Sequence, residues 1–209
     1  MTTRVKHRSN SLALTTLVLC VTSLIGCHGT LNQRTSEKFD RSTGMTLLTA
    51  DAPMAFARTE GQYSRSARDY VYLAPVETNR QGTRDYYLWV GVATTLDRGY
   101  LAPSAETPNA IIVDLKGELM EFKLKPWSER VPNIESMRLY RTSVEVRNQL
   151  AARVTLHQLE LLSGETIESL RVASADGRTR QFQLWQDTQS WGNFLREMEH
   201  PSPPPQPPR

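Results

Sequence analysis

The apolar positions of this chain recur mostly with period 2, the signature of strands half-buried on one face. Residues 45–58 are apolar-rich around Pro53, which cannot donate to a ladder, so an edge strand or two short ones are expected. Residues 69–77 and 84–97 form the clearest pair. Tyr70 and Tyr72 alternate with Val71 and Leu73, and Tyr87 and Trp89 alternate with Tyr86, Leu88 and Val90. Asn79-Arg80-Gln81-Gly82 between them has the composition of a turn. Residues 110–115 and 118–125 flank Lys116-Gly117, a two-residue hairpin connection. Val144, Val146, Leu150, Ala152 and Val154 share one parity broken at Asn148, which predicts a strand bulged there. Residues 165–174 and 178–186 predict a further hairpin around Asp176-Gly177.

Two stretches switch to the helical period. Thr155-Leu156-His157-Gln158 is a capping-box pattern, with Leu156, Leu159 and Leu162 on one face and Gly164 placed to end the helix left-handed. Asp187 or Thr188 starts the second, where Trp191, Phe194, Leu195 and Met198 make an apolar stripe. Pro126 and Pro132 bracket a loop holding Trp127, and residues 98–109 (RGYLAPSAETPN) read as a long loop. The sum is a mainly β fold, an antiparallel β-sandwich or curled sheet of about eight strands with two short helices in the C-terminal half.

The amino terminus follows a different logic. Arg4, Lys6 and Arg8 precede a mostly apolar run, Leu12 to Ile25, of 14 residues. At 1.5 Å per residue this covers roughly 21 Å, against about 30 Å of bilayer hydrocarbon, so it reads as a secretory signal and not a span. Its end, Leu24-Ile25-Gly26-Cys27, resembles the lipobox of bacterial lipoproteins. The resemblance implies cleavage between Gly26 and Cys27, diacylglyceryl attachment to the Cys27 sulfur and acylation of the new amino terminus. Several acyl chains anchor a protein firmly where one does not. His28 follows the cysteine instead of the Asp that holds many lipoproteins in the inner membrane, so the resemblance favours the outer membrane with the domain facing the periplasm.

The domain boundaries follow. Residues 1–26 are the signal, 27–44 a lipidated terminus and flexible tether with its ends about 23 Å apart. Residues 45–198 are one β-rich domain, and residues 199–209 a polyproline tail. The order of strand, capped short helix, hairpin and closing amphipathic helix over residues 144–198 resembles the layout of several uncharacterised bacterial lipoproteins, a resemblance that brings no activity with it.

Charge and cysteine content then narrow the function. The formal charge of +3 comes from the signal. Without its three basic residues the chain has 22 basic and 22 acidic side chains. A balanced surface offers no clustered positive field, so no nucleic-acid partner is expected. Cys20 leaves with the signal and Cys27 carries lipid, so the mature fold holds by its core alone. His157 is the one histidine within the fold. It has neither a second histidine at helical spacing nor a thiol beside it, so no metal site and no cofactor are expected.

No phosphate loop, nucleophile elbow or zinc-protease motif occurs. The expectation is therefore a non-enzymatic lipoprotein that contacts an envelope protein. The alternative is a module for cell-wall glycan or peptide, using Tyr70, Tyr72, Tyr87 and Trp89 as an aromatic platform. A hydrolase built on His157 and Asp97 ranks third. Nothing in the sequence specifies an oligomeric state.

Overall fold

A computed structural model describes residues 35–41, 43–59, 66–96, 108–131 and 139–199. All of these belong to one compact unit. Gly26, Cys27, Asp97, Arg98 and the proline-rich tail lie outside the described residues.

Eleven strands form one antiparallel sheet. They are β1 (Ser36–Asp40), β2 (Met45–Thr49), β3 (Met54–Thr59), β4 (Arg68–Arg80), β5 (Thr83–Thr94), β6 (Pro108–Leu115), β7 (Glu118–Lys123), β8 (Lys125–Pro126), β9 (Val146–Val154), β10 (Ser169–Ser174) and β11 (Thr179–Gln186). Three short helices accompany them: α1 (Trp127–Arg130), α2 (Leu156–Gly164) and α3 (Ser190–Glu199). The mainly antiparallel expectation holds in its curled form, as one sheet and not two.

The order β7-β6-β10-β11-β3-β4-β5-β9-β8 nearly closes on itself. β7 and β8 are one strand bent at Leu124, whose N–H still donates to Asn109 on β6 (2.8 Å). Two residues later the chain has changed partner, with Lys125 opposite Ala151 and Pro126 opposite Leu150 of β9. That short contact brings the two ends of the sheet together into a nearly closed barrel. Phe56, Val71, Val90, Phe122, Ile111 and Phe182 point to the same side around the ring. Each is at most 4% exposed, so this side is the packed interior.

Hairpin geometry comes from turn chemistry. Gln81 and Gly82 both have positive φ (51° and 88°), as do Lys116 and Gly117 (53° and 92°). Two consecutive left-handed residues match the right-handed twist of the flanking strands. In each turn a side chain three residues earlier accepts from the glycine N–H, Asn79 Oδ1 for Gly82 (2.9 Å) and Asp114 Oδ1 for Gly117 (2.8 Å). The bulge expected at Asn148 is present. Val92 pairs with Asn148 and Ala93 with Val146, so Arg147 has no opposite number.

β4 is the strand that the others share. Its first half, Arg68–Leu73, pairs with β3, and its second half, Val76–Arg80, pairs with β2. The seam between the two falls at Ala74-Pro75. Pro75 lacks an N–H, and its carbonyl accepts from the Tyr140 hydroxyl. The Tyr140 hydroxyl oxygen in turn accepts from the backbone N–H of Ala50 in the β2–β3 connection. One phenol therefore satisfies both sides of a gap in the ladder. Burial holds that phenol protonated to far above its ordinary range.

Several expectations need correction. The tether drawn to residue 44 enters the sheet at Ser36, because Ser36–Asp40 pairs with β2 along its whole length. The Trp127 loop is a one-turn helix. Gly164 ends α2 without a left-handed φ, and Glu165 closes the helix in an extended conformation. The Thr155–Gln158 capping box itself is complete, with Thr155 Oγ1 accepting from Gln158 N at 3.1 Å. Thr188 Oγ1 likewise accepts from Ser190 N (3.1 Å) at the start of α3. α2 and α3 pack on each other and bury Leu159, Leu162, Trp191 and Phe194.

Candidate ligand-binding cleft

Tyr70, Tyr72, Tyr87 and Trp89 do share one face, since Tyr72 lies opposite Gly91 and Ala74 opposite Trp89. That face is the outer side of the barrel wall, and it is covered. The four residues are between 1% and 7% exposed, so together they form no open aromatic platform, and of the four Tyr87 alone borders the cleft described below. Residues 139–145 lie over Tyr72 and Trp89. Tyr140 sits 4.9 Å from the Trp89 ring, and the Tyr72 hydroxyl meets Ser143 Oγ (2.9 Å) and Val144 N (3.1 Å). Trp89 donates to Gln149 Oε1 at 3.1 Å. The indole is laid across Gly91, where a Cβ would stand 2.5 Å from the ring. The physical correction is that β4 and β5 are buried on both faces here, so alternating aromatics mark a second core layer and not a wet surface.

His157 is a surface residue of α2, its Nδ1 3.6 Å from the Glu160 carboxylate. No group of three or more histidine, cysteine or carboxylate side chains capable of holding a metal occurs among the described residues. No helix among them is long and apolar enough to cross a membrane.

A concave feature lies beyond the aromatic layer, on the same outer face. Rows of the ladder place Met45 opposite Arg80 and Arg80 opposite Thr83, then Thr78 opposite Asp85 and Val76 opposite Tyr87. α1 and Val131 stand over this corner and leave a cleft of about 390 Å³. Tyr87 anchors one wall, edge-to-face with Trp127 at 6.0 Å. Thr78, Arg80, Thr83 and Arg130 supply polar walls, and Met45 and Val131 apolar ones.

Its electrostatics are uneven. Asp85 is the carboxylate of the lining, and it is engaged by Arg153. Burial raises the Tyr87 phenol above its usual pKa, and Asp85 adds to the rise while Arg153 and Arg130 oppose it. Tyr87 therefore stays an O–H donor at neutral pH. Two donors on α1, Arg130 Nε and Trp127 Nε1, are buried without an acceptor. Neither Arg80 nor Arg130 has an ion pair among the described residues.

The sequence pattern does not single out this cleft. Arg80 reads as a turn residue and Arg130 as part of a loop. No protein-family model matches the chain, and neither a curated protein nor a solved structure does.

Proposed function

We propose that this chain is a lipid-anchored envelope protein, held by Cys27 at the outer membrane and facing the periplasm, whose barrel works by contacting another envelope protein and not by turnover. The lipobox-like Leu24-Ile25-Gly26-Cys27 supports the anchor. The observation that carries the contact is β1. It pairs with β2 on one side, and among the described residues no strand pairs with its other side. An open edge of this kind receives an added strand from a partner.

β1 also carries Phe39, 63% exposed, between Lys38 and Asp40. Charged residues on an edge strand discourage indiscriminate pairing. Ser36 lies nine residues after Cys27, so at about 3.5 Å per residue the start of the edge lies no more than about 32 Å along the chain from the lipidated residue. A partner of this edge is itself close to the membrane.

The test is in-cell crosslinking and co-purification with three forms of the chain. These are wild type, Cys27→Ala exported by a non-lipoprotein signal, and Phe39→Asp. One envelope protein captured by wild type and lost from both variants is the expected result. Equal capture by all three forms, or turnover of an envelope substrate by the purified protein, defeats the proposal.

A further inference from the structure

We propose that the cleft between α1 and the outer face of the β4–β5 hairpin is a binding site for a small organic anion, with an oxyanion head and a short apolar body. The inference does not rest on the lipid anchor or on the β1 edge.

The donors define the head. Arg80 and Arg130 line one cleft and have no ion pair among the described residues, while the neighbouring Asp85 is held by Arg153. A guanidinium offers a planar fork of N–H groups that fits a carboxylate or phosphate bidentately. Arg130 Nε is removed from solvent with no acceptor, and so is Nε1 of Trp127, which is 2% exposed. Orphaned buried donors are rare in folded proteins because each forfeits its hydration. Both lie on the single turn of α1, where Arg130 lines the cleft with Tyr87, Thr78 and Thr83, and the Trp127 ring packs edge-to-face on Tyr87. An anion seated in the cleft meets the Arg80 and Arg130 side chains, which have no ion pair among the described residues.

The remaining walls define the body. Met45, Val131 and the Tyr87 ring are the apolar groups at the cleft, each at most 7% exposed. A volume of about 390 Å³ is at the small end of the range for sites that enclose organic ligands. Carboxylate and phosphate monoester heads share the required chemistry.

The test uses the full chain, ¹⁵N-labelled and kept in non-ionic detergent. It is titrated separately with phenyl phosphate, benzoate, inorganic phosphate and sodium chloride. The readouts are the Trp127 indole N–H and the Arg130 Nε–H resonances. The first is assigned by its loss in Trp127→Phe. Saturable movement of both resonances by phenyl phosphate or by benzoate is expected, and the tighter of the two identifies the head. Arg80→Gln and Arg130→Gln should each weaken that binding by about tenfold. Arg80 is exposed, so its variant keeps the test open if Arg130→Gln loosens the fold.

Shifts that follow sodium chloride equally overturn the proposal, as does affinity unchanged in Arg80→Gln. Inorganic phosphate binding as tightly as phenyl phosphate overturns the apolar body.

Discussion

Glu77 sits between β2 and β5, opposite Leu48 and Tyr86, with its side chain almost wholly buried. Arg84 Nε reaches one carboxylate oxygen at 3.4 Å, while the other has no hydrogen-bond partner. Loss of hydration therefore dominates and raises the pKa above 4.5. Arg84 pulls the other way, and Glu37 adds to the rise. A carboxyl whose folded pKa is raised favours folding in its protonated form. That contribution is complete below the unfolded value and is lost as pH rises through the folded one. Glu77→Gln removes the titration. Denaturant midpoints measured from about pH 4 to about pH 8 should decline in wild type just above pH 4.5 and decline less in the variant. Parallel profiles would show that Glu77 does not carry the slope. The sequence placed this glutamate in a strand but gave no sign of its burial, since charged residues are rarely enclosed. The same blindness governed Tyr70, Tyr72, Tyr87 and Trp89. Their alternation with Val and Leu is identical for a strand with one wet face and for one with a second layer packed over it.

At the scale of elements, the turns were the most legible part of the chain. Lys116-Gly117 and Asp176-Gly177 specify their hairpins locally, and the parity break at Asn148 marked the bulge. What escaped was any element defined by its partners. β1 has polar residues at most positions and exists by pairing with β2. β8 is two residues that switch the strand from β6 to β9. Segment 139–145 has no regular structure, yet it supplies Tyr140 to the seam of β4. Removing that hydroxyl tests the seam. Tyr140→Phe keeps the ring on Trp89 but leaves the Pro75 carbonyl and the Ala50 amide without their partner. A loss of about 1–3 kcal/mol in unfolding free energy is expected from chemical denaturation. A change within experimental error would show that the ladder gap is satisfied otherwise.

Across the whole domain, protection should follow connectivity. β4 is paired along its length to β5 and in halves to β2 and β3, and both of its faces are buried through the middle. β1 hangs from β2 alone with its burial alternating between half-buried and exposed. Native-state hydrogen exchange should therefore find β1 amides opening at low free energy and the central β4 and β5 amides opening only with global unfolding. Uniform protection across β1 and β4 would contradict this hierarchy.

The two-strand ribbon of β1 and β2 also has a mechanical consequence. A pull arriving at Ser36 from the amino-terminal side is borne first by the pair Ser36–Thr49, at the outer end of that ladder. Tension directed away from the ribbon peels its bonds one pair at a time, from Ser36 towards Asp40. β1 can come away and extend while the ring, fastened along the separate ladder of β4 with β5, keeps its shape. The ribbon is thus a strain relief, a short length of chain that gives before the barrel does.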